Sequence, residues 1–282
     1  YGQNVLVKHG FHGAFYLNHV AEKSNSTRSK QAIRSTKHWR LPPGNFTVGI
    51  WGDFTVRKSP NKMMEAWTEF SMNKDDVSLW IHHSNHKQMV PAMDGWFDAH
   101  ITTTGENWTD ERLLENLSAL DALLHCSNQE GFGILQIEAQ LNGVPVINTD
   151  FGPMPELNMI PGMVVPKDGM RDGRYGLPDK AGILMRLESL YARWKDNQPQ
   201  PIKEQIQKYT PEQTFPNHLD PLVDYLFRYH YPKPLMVRTR KPKHIGIIST
   251  FGVDCGIATY TSMLPDSLLA LVSQATACAE AP

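Results

Sequence analysis

Short apolar segments alternate with amphipathic segments along most of the sequence. The clearest strand candidates are Phe46–Gly52, Val77–His83, Asp121–Ser127 and Val144–Asp150, with a shorter one at Ile101–Gly105. Strands that alternate with helices at such short spacing predict a parallel sheet covered by helices on both faces. The expected fold class is therefore α/β, with right-handed crossovers between the strands.

Helices are predicted between these strands because their apolar side chains recur at intervals of three and four residues. Pro60 suits the first turn of the helix after Phe46–Gly52, and Ser59 is predicted to cap it. The apolar face of this helix comprises Met63, Met64, Trp67 and Phe70. Further helices are predicted at Glu111–Leu120, at Ile134–Leu141, near Asp179–Trp194 and near Pro216–Tyr229. Thr109 or Asp110 is predicted to cap the first of these.

Composition argues against several classes of partner. The formal net charge is -1 over 282 residues, which gives no general electrostatic reason to bind nucleic acid. No apolar run approaches the roughly 18–20 residues that a membrane-spanning helix needs. The cysteines, Cys126, Cys255 and Cys278, are far apart and lack metal-ligand spacing. Free thiols favour a reducing compartment, so a cytoplasmic location is expected.

A carboxylate-rich loop follows the strand Asp121–Ser127. Glu130 precedes a glycine turn, and Glu138 follows after seven intervening residues, within the predicted helix Ile134–Leu141. Ligands of open parallel sheets bind beyond the C-terminal ends of the strands. The glycines allow a ligand to approach the backbone, and the helix start offers unpaired N–H groups that suit a phosphate. The two carboxylates would then bind hydroxyl groups on either side of that phosphate, as in a nucleoside-diphosphate sugar.

The segment "EGFGILQIEAQLNGVPVINTDFGPMPEL" resembles retaining glycosyltransferases of the GT-B fold, the group that includes glycogen-synthase-like and sucrose-synthase-like enzymes. The hallmark of that family is two glutamates separated by seven residues, with a Gly-Phe-Gly turn after the first. The resemblance covers roughly Phe46 to Tyr229 and is most specific at Asp121–Leu157. It implies a GT-B C-terminal, Rossmann-like donor domain that transfers a sugar with retention of anomeric configuration.

The resemblance implies a role for individual residues. Glu130 would contact hydroxyls of the transferred sugar and stabilise developing positive charge, and Glu138 would bind the ribose. The donor would also meet Gly131, Phe132, Gly133, Ile134 and Leu135 through their backbone, and Thr149 would line the nucleotide pocket. No metal and no cofactor other than the donor substrate is implied.

The family also places a basic pair after the first strand of this domain, where it neutralises the diphosphate leaving group. Lys58 matches the family lysine, but Asp53 stands where the family has arginine. Arg57 is the candidate for the second positive charge. The loss of one cation from such a clamp is expected to slow the reaction by roughly 10²–10³-fold. A non-catalytic nucleotide-sugar-binding module is therefore kept as an alternative function, and a GT-B sugar-nucleotide epimerase as a third.

The two ends of the sequence suggest a fragment of a tandem protein. Residues 1–44 are interpreted as the end of a truncated N-terminal domain, with a strand at Asn4–Gly10 and a polar connection, and residues 45–230 as the donor domain. Residues 231–244 are predicted to be a linker, and residues 245–282 resemble the βα start of a second glycosyltransferase unit. The basic residues of 233–243 are most simply solvated, with peripheral membrane contact as an alternative. The acceptor, whether carbohydrate, lipid or protein, is left open.

Two other groups of residues are candidates for a binding site. His82, His83 and His86 follow or end a strand, but their spacing is not that of a standard metal site, and incidental loop histidines are favoured. Three aromatic residues could stack on a base or a sugar, although core packing is favoured for them: Trp80, Trp96 and Phe97. Neither a nucleophile elbow nor a dinucleotide fingerprint is present in the sequence.

Overall fold

The structure is a computed structural model that describes residues 19–39, 41–52, 54–83, 101–171 and 175–224. The chain divides into two compact units, Tyr1–Asp220 and Pro221–Pro282. Of the second unit only residues 221–224 are described, and they are helical. The predicted strand Asn4–Gly10, the linker 231–244 and the second unit at 245–282 lie outside the described residues.

The first unit alternates strands and helices in the order that the sequence predicts. Its elements are α1 (Lys30–Arg34), β1 (Phe46–Trp51), a 3₁₀ turn (Val56–Lys58), α2 (Pro60–Ser71), β2 (Val77–His82), β3 (Ile101–Thr104), α3 (Asp110–Ser118), β4 (Ala122–His125), α4 (Ile134–Leu141), β5 (Val146–Thr149), α5 (Met154–Leu157), β6 (Val164–Val165), β7 (Lys167–Arg171), β8 (Tyr175–Pro178), α6 (Lys180–Lys195), a 3₁₀ helix (Glu204–Tyr209), α7 (Pro211–Thr214) and a π-helical turn (Phe215–Leu219).

Six strands form a parallel sheet in the order β3-β2-β1-β4-β5-β6. This is the strand order of a doubly wound α/β domain, in which the chain moves outward from the centre first on one side and then on the other. The predicted α/β class and parallel sheet are therefore confirmed. The remaining two strands, β7 and β8, pair antiparallel in a separate hairpin.

Alternate residues of each strand enter two cores on opposite faces of the sheet, because side chains of a strand point to alternate sides. In β4, Ala122 and Leu124 lie in the core that is covered by α2 and α6. Leu123 lies instead in the core that is covered by α1, α3 and α4. A smaller third core joins α4 and α5 to the 3₁₀ helix, through Ile137, Leu157 and Tyr209. The buried face predicted for α2 is confirmed, since Met63, Met64, Trp67 and Phe70 are all buried.

The segment before β1 is more than the polar connection that the sequence suggested. Arg34 of α1 is buried, donates to the carbonyl oxygens of Ala119 and Asn45, and forms an ion pair at 2.5 Å with Asp121. Asp121 also accepts from the backbone N–H of Thr47 at 2.7 Å. These contacts join α1 to β1 and to the start of β4, so the described residues before Asn45 pack as part of the sheet domain.

Local expectations are corrected at several points. Ser59 does not cap α2, because it adopts a left-handed conformation with φ of 52° and its side chain makes no capping hydrogen bond. Thr109, one of the two predicted caps of α3, does accept from the N–H of Arg112. The last predicted helix begins at Pro211 rather than near Pro216. The sequence did not predict β6, which has only two residues, or the hairpin of β7 and β8, whose first strand carries glycine and several charges.

Candidate functional site

The loops after β1 and β4 meet at the C-terminal edge of the six-stranded sheet. These two strands are neighbours at the centre of the sheet, and the chain leaves them toward opposite sides. The strand order therefore reverses between them, which is where open α/β sheets bind ligands. The loop after β1 carries Arg57 and Lys58, and the loop after β4 carries Glu130.

Hydrogen bonds fix the loop of Glu130 from two sides. The N–H of Asn128 donates to the carbonyl oxygen of Arg57 at 2.7 Å, and Nη1 of Arg57 donates to the carbonyl oxygen of Gln129 at 3.0 Å. From the hairpin, the N–H of Gly176 donates to the carbonyl oxygen of Asn128 at 3.1 Å. The loop is thus held between the loop after β1 and the hairpin, which fixes the backbone that carries Glu130.

The carboxylate of Glu130 is the centre of a buried polar cluster, and its side chain is 7% exposed. Its Oε1 accepts from Nζ of Lys58 and, at 2.7 Å, from Oγ of Ser127. Nε2 of His125 lies 3.3 Å from the same oxygen, although its direction is not that of a formed hydrogen bond. Its Oε2 accepts from Nη1 of Arg57 at 2.9 Å. We refer to these five residues as the Glu130 cluster.

The charges in the Glu130 cluster favour an ionised Glu130 beside a neutral His125. Burial opposes ionisation of Glu130, but its interactions with His125 and with the Lys58 ammonium outweigh burial and hold its pKa well below the usual range. Burial, followed by the positive charge of Lys58, lowers the pKa of His125. The carboxylate is therefore negative at neutral pH and is matched by the two cations rather than by an imidazolium.

The glycine turn after Glu130 has a definite packing role. Gly133 has φ of 87°, and a Cβ at this position would lie 2.6 Å from Nε2 of Gln136, so the turn needs glycine here. The ring of Phe132 packs against the ring of His19, with 4.4 Å between their centroids, and against Tyr209. The side chain of Phe132 therefore anchors the turn to the third core, which leaves its backbone as the part that could meet a donor.

The start of α4 offers several unpaired donors. None of the N–H groups from Gly131 to Leu135 forms a hydrogen bond with another described residue. The side chains of Ile134 and Leu135 are half-buried and pack against the third and second cores, respectively. The first turn of the helix thus presents free N–H groups and its positive dipole end beside Glu130, which is the usual arrangement of a helix N-terminal anion site.

Glu138 lies on α4 in an environment of opposite character. Its carboxyl is half-buried, and no hydrogen bond or ion pair joins it to another described residue. Burial and the negative charges of Asp110 and Glu22 raise the pKa of Glu138 to about 7. An acceptor without an internal partner is available to a hydroxyl-bearing ligand, as the predicted ribose contact requires.

Thr149 ends β5 and is fully buried, and its Oγ1 has no hydrogen-bond partner among the described residues. A small cavity of about 10 Å³ lies near the ends of β1 and β4 and is lined in part by Gly52, Lys58, His125 and Ser127. That volume suits about one water molecule. The cavity is therefore too small for a nucleotide, and it lies beside three residues of the Glu130 cluster.

The structure brings the predicted Glu130, Lys58 and Arg57 into direct contact, next to the glycine turn. Glu138 lies on α4 and Thr149 at the end of β5, and neither forms a hydrogen bond or ion pair with Glu130, Lys58 or Arg57. Sequence reasoning missed His125 and Ser127. Their position was a usable signal, because His125 is the last residue of β4 and Ser127 follows it at the binding edge.

The other sequence candidates do not form a site in the described part of the chain. His82 is buried, stacks on Trp108 at 3.7 Å between ring centroids and lies 2.9 Å from Oγ1 of Thr104. Burial, aided by the charge of His83, lowers the pKa of His82 to about 4. Trp80 is a core residue, as favoured from the sequence. His86, Trp96, Phe97 and Asp53 fall outside the described residues, as does segment 233–243.

The described ranges also bear on metal binding and on membrane-spanning helices. No group of three or more histidine, cysteine, aspartate or glutamate residues there could hold a metal ion. None of the helices described is both long and apolar enough to cross a membrane. Cys126 is a buried free thiol whose pKa is raised by burial, which makes it unreactive at neutral pH.

Comparison with known proteins gives the site a family context. Residues 33–159 match the family model described as "Glycosyl transferases group 1". No curated protein matches the sequence. Sucrose-phosphate synthase from Thermosynechococcus elongatus is similar in structure, with a TM-score of 0.61 and 17% identity over 80% of this chain and 56% of that chain. Anabaena Alr3699/HepE in complex with UDP-glucose gives a TM-score of 0.57 and 13% identity, over 79% of this chain and 61% of that chain.

A third structure, the GtfA/B complex, gives a TM-score of 0.53 with 13% identity, over 74% of this chain and 39% of that chain. The chain thus spans about three fifths of the length of the HepE chain and rather less of the other two. At these identities the structural likeness concerns the fold alone. Residues 33–159 of the sheet domain thus match the group 1 glycosyltransferase family model. The structural likenesses support a GT-B, Rossmann-like fold for the sheet domain.

Proposed function

We propose that this chain carries the donor-binding half of a retaining glycosyltransferase that uses a nucleoside-diphosphate sugar. The observation that carries the proposal is the meeting of Lys58, Arg57 and Glu130 at the strand-order reversal, beside the free N–H groups of α4. Two cations and a helix N-terminus suit a diphosphate, and a carboxylate next to them suits the hydroxyls of a sugar.

The diphosphate would lie over the start of α4 and draw Lys58 and Arg57 away from Glu130. The side chain of Arg57 is 39% exposed, so it can turn toward a ligand at little cost. Its departure would free Oε2 of Glu130 to accept from a hydroxyl of the transferred sugar. Lys58, whose side chain is 16% exposed, would turn from Oε1 toward the phosphate nearest the sugar.

The nucleoside would lie on the other side of the diphosphate. Glu138 would accept hydrogen bonds from the ribose hydroxyls, which suits a carboxyl that has no internal partner. Thr149 would line the nucleotide pocket with its unpaired hydroxyl. The backbone of the turn Gly131–Gly133, rather than the packed ring of Phe132, would meet the phosphates.

Transfer with retention would proceed by front-face displacement, as the family resemblance implies. The bond between the anomeric carbon and the phosphate oxygen breaks, and the acceptor oxygen bonds to the same face of that carbon. The proton of the acceptor hydroxyl passes to the departing phosphate oxygen. Lys58, Arg57 and the N–H groups of α4 would stabilise the negative charge that develops on the leaving group.

The wider assignment follows from the same proposal. UDP-sugars are the first donors to test, because Alr3699/HepE was crystallised with UDP-glucose. No metal or cofactor is included, and the acceptor is left open among carbohydrates, lipids and proteins. A cytoplasmic location is kept, since the described cysteine is a free thiol. The tandem arrangement and contact of 233–243 with a membrane surface stay predictions.

A second candidate is a non-catalytic module that binds nucleotide sugars within a larger assembly. Asp53, which stands where the family has arginine, favours it because one leaving-group cation is lost. Both candidates require donor binding, and only the first requires that the sugar be transferred or released.

The test is calorimetric titration of the chain with UDP-glucose, GDP-mannose and UDP, followed by an assay for release of UDP or GDP. Lys58→Met should weaken binding of the preferred diphosphate by about tenfold or more, because a direct charge contact is lost. The matched control is Lys180→Met, whose exposed lysine pairs with Glu69 at 2.8 Å, and it should bind as the wild type does. Equal affinities in the two variants would contradict the site, and binding without release would favour the second candidate.

A further inference from the structure

The Glu130 cluster contains two partners of Glu130 that have no assigned role. Ser127 is 1% exposed and donates to Oε1 at 2.7 Å, and His125 is 4% exposed with Nε2 at 3.3 Å from the same oxygen. Arg57 alone contacts Oε2 among the described residues. The carboxylate therefore has an inner oxygen, held by buried neutral groups and Lys58, and an outer oxygen, held by an exposed cation.

We propose that His125 and Ser127 are positioning residues that hold the inner oxygen of Glu130 in place while Lys58 and Arg57 turn to the diphosphate. The inference rests on the proposed function and extends it to the sugar end of the donor. Without these residues, a buried carboxylate that loses its cations would turn toward them or toward water, and its hydroxyl contact would be lost.

The geometry of His125 supports this role. Its Nε2 is buried, and no described residue forms a well-directed hydrogen bond with it. It lies between the Glu130 carboxylate and the glycine turn, since a Cβ at Gly133 would be 3.5 Å from Nε2. A small rotation of the carboxylate would complete an N–H···Oε1 hydrogen bond as Lys58 withdraws.

The neutral charge of His125 and Ser127 also suits a role in positioning Glu130. A neutral imidazole can donate to Glu130 without adding a third cation, so it neither repels Lys58 nor competes with the diphosphate for it. The pKa of His125 is lowered by burial and by the nearby charge of Lys58, which keeps the ring neutral. Ser127 is likewise a neutral donor that no ligand charge would draw away.

The experiment compares the affinity of the chain for UDP-glucose with its affinity for UDP. Glu130 would touch only the sugar of the donor, so loss of its positioning should remove the preference for UDP-glucose over UDP, which the ratio of the two dissociation constants measures. His125→Met should bring the ratio of the two dissociation constants to about one, and Ser127→Ala should lower it by about threefold. His125→Gln, which keeps an N–H donor near Nε2, should retain at least half of the wild-type ratio.

Loss of stability alone would act differently, and Phe70→Leu controls for it. Phe70 of α2 is buried against Phe46, the first residue of β1, and Tyr191, away from the C-terminal edge of the sheet. This variant should therefore weaken the fold without changing the ratio of the two dissociation constants. Equal ratios in His125→Met, His125→Gln and the wild type would overturn the inference. Ser127→Ala removes one oxygen only, and it provides the same test if His125→Met does not fold.

A second measurement does not depend on a bound donor. In the Lys58→Met background, the carboxyl carbon of Glu130 is titrated by NMR. Adding Ser127→Ala or His125→Met should raise its pKa by at least one unit, whereas adding His125→Gln should raise it less. No rise in any combination would overturn the inference. Failure of every nucleotide to bind would instead contradict the proposed function.

Discussion

Glu130 lies in the loop before α4 with Lys58, Arg57, Ser127 and His125 around its carboxylate, whereas Glu138, on α4 itself, has Asp110 and Glu22 as its charged neighbours. The pKa of Glu130 is held well below the usual range, although burial opposes this. The pKa of Glu138 is raised to about 7 by burial and by like charges. One residue type at two ends of a short motif is thus placed in two opposite electrostatic environments.

The opposite environments of Glu130 and Glu138 indicate that the two carboxyls would bind different parts of a ligand. Glu130 holds two cations that a diphosphate could take over, so its own charge is released for a sugar when the ligand arrives. Glu138 has no cation to give up and is already open to a hydroxyl. The comparison leads to variants that should affect one side and spare the other.

The largest effect is expected from Lys58→Met. It should lower the free energy of unfolding at pH 7 by about 3 kcal/mol, because Glu130 is buried and one of its two cations is removed. Urea unfolding measures this. Lys180→Met, the exposed control, should leave the free energy of unfolding almost unchanged. The double variant Lys58→Met/Glu130→Gln should recover more than half of the loss, and no recovery would show that the pair is not the cause.

The next effect belongs to Glu138 and depends on pH. Its folded-state pKa of about 7 exceeds the unfolded value of about 4.3, so the folded protein holds the extra proton and loses stability as pH rises through that window. Glu138→Gln should therefore stabilise the protein by on the order of 2 kcal/mol at pH 8 and by little at pH 4. Thermal unfolding at both pH values checks this, and a gain that is equal at both would contradict it.

The sheet could be predicted from the sequence for a physical reason, whereas the roles of the site residues stay predictions. Strands such as Val77–His82 are buried over their whole length because both faces of the sheet are covered, and α4 begins where the glycine turn ends. The glycine spacing and the two glutamates led to the predicted binding edge after β4. Lys58 was assigned through the family resemblance, without any knowledge of its partner.

What was missed depends on contacts between distant residues. Ser59 looks like a helix cap, but it adopts a left-handed conformation and makes no capping hydrogen bond. Arg34 and Asp121 are 87 positions apart, and no local pattern predicts that their ion pair joins α1 to the sheet. The hairpin that holds Asn128 through Gly176 likewise carries little apolar periodicity.

A smaller effect is expected from Arg57→Met. Arg57 is the exposed cation of the Glu130 cluster, so its loss should cost only about 1 kcal/mol of unfolding free energy at pH 7. Urea unfolding of Arg57→Met and Lys58→Met, measured side by side, shows which cation contributes more to the free energy of unfolding. A cost as large as that of Lys58→Met would contradict the distinction between the inner and outer oxygens of Glu130.

The most direct test of the account is calorimetric titration of UDP into Glu130→Gln and Glu138→Gln at pH 7. Glu130→Gln releases Lys58 and Arg57 before the ligand arrives, so UDP should bind about threefold more tightly than to the wild type. Glu138→Gln removes a ribose contact, so UDP should bind more weakly. If Glu130→Gln also weakened UDP binding, the transfer of its two cations to the diphosphate would be contradicted.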